Sequence, residues 1–164
     1  MKIIVIGHGR HGKDEFCERL GLPFESSSMV AAEEVVFPLL INMYPDAKTC
    51  FEDRHNHRAL WFTLIQHYNA EDKAKLGRKI LAKQDVYCGV RDSQELRALQ
   101  SDSQYEDLLT VWIDASKRVQ LEDESSINVT KDYADVIIKN NGTLEEFHQA
   151  IAQFKHDYRL EAYD

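Results

Sequence analysis

A glycine-rich segment near the start of the chain has residue types and spacing that suit the binding of phosphate groups. Gly7, Gly9 and Gly12 come directly after the short apolar run 3–6, and Lys13 follows them. Glycines let the backbone wrap closely around an anion, while the N–H groups of the turn and of the next helix point towards it. A lysine at this position reaches the terminal phosphates of a nucleotide. The segment therefore predicts a nucleotide-phosphate site.

Two motifs overlap in this segment. Its glycines match the dinucleotide pattern G-x-G-x-x-G, in which Glu25 would be the acidic residue expected about 20 positions later, and also the P-loop pattern G-x-x-x-x-G-K. Lys13 favours the P-loop, because a dinucleotide fold does not require a lysine there. Asp14 departs from the P-loop, where a Ser or Thr normally binds Mg²⁺. A glycine-rich turn without a ligand is the third interpretation.

Two arginines and a tryptophan form a second candidate site. Arg54 and Arg58 are four residues apart in a segment that is predicted as one helix from Thr49 to Tyr68, because Thr49 begins a capping box. Both guanidinium groups would then lie on one helix face and bind a monophosphate, with Trp61 stacking on a base. The alternative is an exposed helix face whose arginines pair with nearby acids, with Trp61 in the core.

The histidines and cysteines carry weaker signals. His55 and His57 are two residues apart and would point to different helix faces, so joint zinc binding is not expected. His8 and His11 in the glycine segment either hydrogen-bond to phosphates or only tolerate the turn. An odd number of widely spaced cysteines predicts free thiols in a reducing compartment. These cysteines are Cys17, Cys50 and Cys88.

The elements that must position these residues alternate between strands and helices. This alternation predicts parallel strands joined by helical crossovers, and so a three-layer α/β fold with a mostly parallel sheet of about five strands flanked by helices. The first strand leads into the glycine segment, and a final helix begins after Thr143. The predicted strands are 3–6, 24–27, 86–90, 108–113 and 136–138.

The composition describes about one domain with an excess of acidic residues. The chain has 164 residues, and its 20 Lys and Arg against 28 Asp and Glu give a formal net charge of −8. This charge disfavours nucleic acid polymers and anionic membranes as partners, whereas a small anion needs only a local positive pocket. The acidic stretch 122–124 is expected to be a solvated loop. No apolar run reaches the ~18 residues of a membrane span, so a cytoplasmic protein is predicted.

Three segments, in the same order, resemble the phage deoxynucleoside monophosphate kinases, a group within the P-loop nucleoside monophosphate kinase superfamily. The first is Gly12-Lys13-Asp14. The second, 85–96, combines a strand, Val90-Arg91 and a helix opened by Glu95, and the third, 134–146, combines a strand, an Asn-Gly turn and the final helix. The resemblance implies a single P-loop kinase domain over 1–164, with a helical monophosphate-binding region at about 29–83 and a short lid at about 115–134.

The resemblance implies transfer of the γ-phosphate of ATP to a (deoxy)nucleoside monophosphate, with Mg²⁺ as cofactor. The protein would be a monomer or homodimer in the cytoplasm, that of the host if it is phage-encoded. Catalytic roles would fall to Lys13, Arg91 and Arg118. The monophosphate would contact Arg54, Arg58, Trp61 and Arg91. ATP would contact Gly7, Gly9, Arg10, His11, Gly12, Lys13, Asp14, Glu15, Asn140 and Asn141. The metal would contact Asp14 and Asp92.

Three positions leave alternatives open. Relatives often carry an Asp where this chain has Gly89, and Asp92 either replaces it as a metal contact or caps a helix. Arg118 is either a lid arginine that acts in the transition state or a plain surface charge. Two other functions therefore remain beside the kinase: an NAD-binding protein of the Rossmann type, and a non-catalytic ATP-binding module.

Overall fold

One parallel sheet forms the centre of the computed structural model, which describes residues 1–24 and 27–161. Its strands are β1 Ile3–Ile6, β2 Val86–Cys88, β3 Leu109–Asp114 and β4 Val136–Lys139. Their order across the sheet is β2-β1-β3-β4, so β1 lies between β2 and β3. Every residue of β1 and β2 is buried, because these apolar strands are covered on both faces.

The number of strands differs from the prediction. The described residues form a sheet of four strands, so the predicted sheet of about five is wrong. In the predicted strand 24–27, Phe24 is not in a strand and Ser27 begins a helix, while Glu25 and Ser26 lie outside the described residues. The strand predicted to reach Val90 ends at Cys88, because the next residue, Gly89, turns away with a φ of +95°.

Helices cover both faces of the sheet, as the alternating pattern predicted. Because successive strand residues point to opposite faces, Ile3 and Val5 pack on one helical layer, whereas Ile4 and Ile6 pack on the other. The α-helices are α1 Lys13–Leu20, α2 Ser27–Ala31, α3 Phe37–Leu39, α4 Ala47–Glu52, α5 Arg58–Tyr68, α6 Lys75–Lys83, α7 Ser93–Gln100 and α8 Leu144–Asp157. A π-helical segment, Ala32–Val36, connects α2 to α3. Residues from α1 and α8 belong to the core on the first face, and residues from α5, α6 and α7 to the core on the second.

The predicted helix 49–68 is not continuous. It is divided into α4, a 3₁₀ turn at Arg54–Asn56, and α5. The side chain of Asp53 accepts a hydrogen bond from Asn56 Nδ2 at 2.6 Å and makes a second contact with His57 Nε2 at 3.1 Å. Such local side-chain bonds compete with the helical hydrogen-bond pattern. The helix cap is also one turn earlier than predicted, since Asp46 rather than Thr49 accepts the backbone N–H at the start of α4.

The free thiols of Cys17, Cys50 and Cys88 are all buried, and the prediction of unpaired cysteines is confirmed. Within the described ranges, no helix combines the length and the apolar character that a membrane crossing needs.

Candidate functional site

The glycine segment is the connection between β1 and α1, and two of its glycines are required by its geometry. Gly12 has a φ of +105°, and a Cβ there would lie 2.6 Å from Asn140 Nδ2. Gly7 has a φ of +149°, and a Cβ there would lie 2.7 Å from the backbone O of Ile113. Only glycine accepts these conformations without strain. The loop thus lies directly against β3 and the residue that follows β4.

Lys13 is the first residue of α1 and folds back over the glycine loop. Its Nζ donates a hydrogen bond to the backbone O of His8 at 2.8 Å. Burial lowers the pKa of the Lys13 ammonium group, because a charged group is poorly solvated there. The Lys13 ammonium group thus lies against the backbone of the glycine loop.

A cleft next to the loop has two adjoining parts, which we call the loop compartment and the aromatic compartment. The residues that line both are Ser27, Ser28, Arg54, Arg58, Gly89 and Arg91. The loop compartment is also lined by Gly9, Arg10, Gly12, Lys13, Asp14, Glu15, His55 and Cys88. The aromatic compartment is also lined by Ala31, Trp61, Phe62, Ile65, Tyr87, Asp92 and Glu95. The aromatic compartment is narrow, with a cavity volume of about 40 Å³.

Three arginines from separate elements meet at the junction of the two compartments. Arg54 lies in the 3₁₀ turn, Arg58 begins α5, and Arg91 follows β2. The guanidinium of Arg54 stacks 3.9 Å from the centre of the Phe51 ring. Burial, together with the positive charge of Arg91, lowers the pKa of Arg58 to about 10. The side chains that the sequence proposed for a monophosphate thus line one cleft, although no single helix carries them.

Glu122, which the sequence did not identify as a site residue, contacts three residues that line the cleft. Its Oε2 accepts hydrogen bonds from the backbone N–H of Gly9 at 2.8 Å and from Arg91 Nη1 at 2.6 Å. Its Oε1 lies 3.4 Å from Arg58 Nε. Burial would raise the pKa of Glu122, but the charge and hydrogen bond of Arg91 outweigh this effect and lower it. The prediction of a solvated loop at 122–124 is therefore wrong for Glu122, although Asp123 and Glu124 are exposed.

The two loop histidines hold the segment 115–122 against the glycine loop. His11 Nδ1 accepts a hydrogen bond from the backbone N–H of Ala115 at 3.0 Å, and its Nε2 lies 3.4 Å from the backbone O of Gln120. His8 Nδ1 accepts a hydrogen bond from the N–H of Glu122 at 3.0 Å. Burial lowers the pKa of both imidazoles, which agrees with their role as neutral acceptors. Their side chains thus bind protein backbone, a role that sequence spacing did not indicate.

Arg118, Asn140 and Asn141 form a separate group beside the loop. Arg118 is exposed, and its Nε donates to the backbone O of Asn140 at 2.7 Å. Asn140 is buried and donates from Nδ2 to the backbone O of His11 at 3.0 Å. Asn141 Oδ1 accepts the N–H of Lys117 at 3.0 Å. Arg118 is thus not part of the arginine cluster at the junction of the compartments.

The acidic residues proposed for Mg²⁺ lie in different compartments. Asp14 is exposed in the loop compartment, whereas Asp92 is buried and caps α7 through a hydrogen bond from the N–H of Gln94 at 3.1 Å. In residues 1–24 and 27–161, no three His, Cys, Asp or Glu are grouped so that they could hold a metal. Glu15, proposed as an ATP contact, pairs with His148 Nε2 at 2.6 Å. Mg²⁺ usually takes one or two carboxylates together with substrate phosphates. Of the two proposed residues, only Asp14 lines the loop compartment and fits that description.

A buried polar network closes the aromatic compartment. Glu95 accepts a hydrogen bond from the Tyr87 hydroxyl at 2.5 Å and another from Asn69 Nδ2 at 2.5 Å. Burial raises the pKa of Glu95 to about 7. Trp61, proposed to stack on a base, is almost fully buried in the core and reaches the compartment with part of its ring. The compartment thus combines aromatic walls with carboxyl and hydroxyl groups.

Comparison with known proteins adds no relative. No family model matches the sequence, and no curated protein shows significant similarity to it. Glu25, the acidic residue that a dinucleotide site would use, lies outside the described residues. The function proposed below therefore depends on the geometry of the cleft.

Proposed function

We propose that this protein is a P-loop nucleoside monophosphate kinase that transfers the γ-phosphate of ATP to a (deoxy)nucleoside monophosphate. The observation that carries the proposal is the meeting of Lys13, Arg54, Arg58 and Arg91 at one cleft beside a glycine loop. Phosphoryl transfer needs positioned positive charge more than covalent chemistry from the protein. This cleft supplies that charge in a chain whose formal net charge is −8.

The glycine loop and Lys13 would bind the phosphates of ATP. The N–H of Gly9 already binds an anionic oxygen, that of Glu122, at 2.8 Å. Lys13 Nζ lies over the loop and has a backbone carbonyl as its hydrogen-bond partner. Anion binding to backbone N–H groups at the start of a helix is the physical basis of P-loops.

The aromatic compartment and the three arginines would bind the monophosphate. Arg54, Arg58 and Arg91 line the border between the compartments, and Trp61, Phe62 and other apolar side chains line the inner part. A nucleotide has the same two chemical halves, a dianionic phosphate and a flat base. Guanidinium groups bind phosphate in a bidentate manner, which also fixes its orientation.

The proposed reaction requires no general base. An oxygen of the acceptor monophosphate forms a bond to the γ-phosphorus, the bond to the β–γ bridging oxygen breaks, and ADP leaves with the electron pair. Lys13 and Arg91 would stabilise the charge that develops on the transferring group. Mg²⁺, bound with the nucleotide, would neutralise phosphate charge, and Asp14 is the carboxylate that faces the loop compartment.

A panel of ribonucleoside and deoxynucleoside monophosphates, assayed with ATP and Mg²⁺ for ADP release, tests the proposal. Lys13→Ala should lower turnover about 100-fold or more while the circular dichroism spectrum stays unchanged. Lys83→Ala removes an exposed lysine at the end of α6 and should leave turnover unchanged. A fully active Lys13→Ala variant, or no ADP release with any monophosphate, would contradict the kinase assignment.

A non-catalytic ATP-binding module is the second candidate function. Asp14 supplies no hydroxyl for Mg²⁺, and Gly89, with its φ of +95°, supplies no carboxylate at the end of β2. Such a module would bind ATP in a titration and release no ADP with any acceptor. Binding of NAD in preference to ATP in the same titration would instead indicate a dinucleotide-binding protein.

A further inference from the structure

The carboxylate of Glu122 is bound in the manner expected for a phosphate group. A backbone N–H of the glycine loop and Arg91 donate to one oxygen, and Arg58 pairs with the other. A Cβ at Gly9 would lie 3.2 Å from the Glu122 carboxylate and 3.2 Å from Arg58 Nη2, so the carboxylate lies directly on the loop. Hydrogen bonds between charged partners are about twice as strong as neutral ones.

A second anion cannot share this position. A phosphate on the Gly9 N–H and Arg91 would stand against the Glu122 carboxylate, and like charges in a partly buried site repel strongly. Without any anion, Arg58 and Arg91 would face each other with uncompensated charge, and Arg91 already lowers the pKa of Arg58. Glu122 therefore stabilises the cleft only while no nucleotide phosphate is bound there.

The segment that carries Glu122 can move away from the loop while its two ends stay in the core. Ala115 at its start is fully buried, and Ile127 at its end belongs to the core. Between these two points most residues are exposed, and polar contacts hold the segment to the loop, such as the hydrogen bond from the Glu122 N–H to His8 Nδ1. Water can replace polar contacts of this kind when the segment moves away, so each of them stabilises the closed position only modestly.

We propose that Glu122 is an internal ligand of the phosphate-binding position, and that nucleotide binds by displacing it together with the segment 116–126. This inference rests on the proposed nucleotide function and adds its regulation. The segment lies where the sequence predicted a lid. The carboxylate of Glu122 holds this lid closed over the loop, and a nucleotide phosphate would take over the same donors.

Calorimetric titration with ATP–Mg²⁺, and separately with inorganic pyrophosphate, tests the displacement. Glu122→Gln keeps the size of the side chain and removes its charge, so both ligands should bind about tenfold more tightly than to the wild type, because less of the protein is in the self-bound form. Glu124→Gln is the matched control. It makes the same change of charge at an exposed residue of the same segment, and affinity should stay within about twofold.

Hydrogen–deuterium exchange on the wild-type protein gives a readout that needs no variant. Pyrophosphate should accelerate exchange in peptides that cover 116–126, because the N–H of Glu122 loses its acceptor on His8. Unchanged or slower exchange there, or unchanged or weaker binding to Glu122→Gln, would overturn the displacement and leave the kinase proposal intact. No binding of either ligand to any of the three proteins would overturn the nucleotide function and this inference together.

Discussion

Arg91 is the residue at which most of the cleft's interactions meet. It donates to Glu122 at 2.6 Å and lines both compartments, so it lies between the proposed positions of donor and acceptor phosphates. The resemblance to the phage kinases predicted a phosphate contact for this residue. Arg54 and Arg58 were proposed as phosphate contacts because they are four residues apart. That spacing places them on one face only if a single helix carries both. Both arginines reach the cleft although the helix is divided, because the 3₁₀ turn at Arg54–Asn56 and the first turn of α5 lie along the same wall.

The positive charge of Arg91 should be essential for transfer. Arg91→Ala should lower kcat/KM for the monophosphate about 100-fold or more, because a donor to the developing charge is lost. Arg97→Ala is the control on the neighbouring helix, where Arg97 stacks 4.2 Å from the Tyr133 ring and has no part in the cleft. Steady-state kinetics with the best acceptor measures both. Equal kcat/KM for wild type and Arg91→Ala would remove Arg91 from the mechanism.

At the scale of elements, the segment 115–122 and the glycine loop form a unit that local patterns did not predict. The sequence predicts that His8 and His11 either hydrogen-bond to phosphates or only tolerate the turn, whereas their rings accept backbone N–H groups of the segment. Nothing in the sequence around Ala115 or Gln120 indicates these contacts. They exist because β3 and β1 are neighbours in the sheet, so the segment that follows β3 passes directly over the loop that follows β1.

Loss of the His11 side chain should loosen this unit. His11 is only 1% exposed, and His11→Ala would leave the N–H of Ala115 without its acceptor. We expect the free energy of unfolding to fall by about 1–3 kcal/mol, as for other buried donors that lose their partners. Urea denaturation measures this loss, and His156→Ala, at a side chain that is 75% exposed, serves as control. Equal losses in the two variants would show that the contact contributes nothing specific.

At the scale of the whole molecule, the charge is unevenly distributed. The chain carries a formal net charge of −8, yet Lys13 and four arginines line one cleft. This arrangement places a local group of positive charges in an acidic chain, and a small anion needs no more than that. The polar network at Glu95 joins further parts of the molecule, since Asn69 follows α5, Tyr87 belongs to β2 and Glu95 to α7.

Glu95 should give the stability of the whole protein a dependence on pH. Its pKa is about 7 in the folded protein against an ordinary value of 4.5, so folding favours the protonated form. The stabilisation from this proton is present at low pH and is lost as pH rises from about 4.5 through about 7. Relative to Glu95→Gln, the wild type should therefore lose on the order of 3 kcal/mol of unfolding free energy over this range. Urea denaturation at several pH values measures the difference.

Comparison with Glu95→Gln separates the effect of Glu95 from that of groups whose titration changes stability in the opposite direction. The lowered pKa values of His8 and His11 make the protein more stable as pH rises through the ordinary range of histidine, and this contribution is common to both proteins. A difference in unfolding free energy that does not change with pH would contradict the raised pKa of Glu95.

Local sequence patterns predict the features that depend on neighbouring residues. Ile3–Ile6, the glycine loop and Lys13 are contiguous, so an apolar run, a glycine pattern and a helix start were enough to predict β1, the loop and α1. The parallel α/β layout followed from alternation along the chain and is confirmed, whereas the number of strands is not. That number depended on 24–27, where no strong pattern supports a strand.

The contacts between distant residues at the cleft depend on the order of the strands in the sheet. Gly9 and Glu122 are 113 residues apart in the chain and meet at 2.8 Å, because adjacent parallel strands bring their following loops to the same edge of the sheet. A single acidic residue in a charged loop has no local feature that separates it from Asp123 and Glu124. Its role as partner of Arg58 and Arg91 arises from the sheet order, which no short segment of sequence encodes.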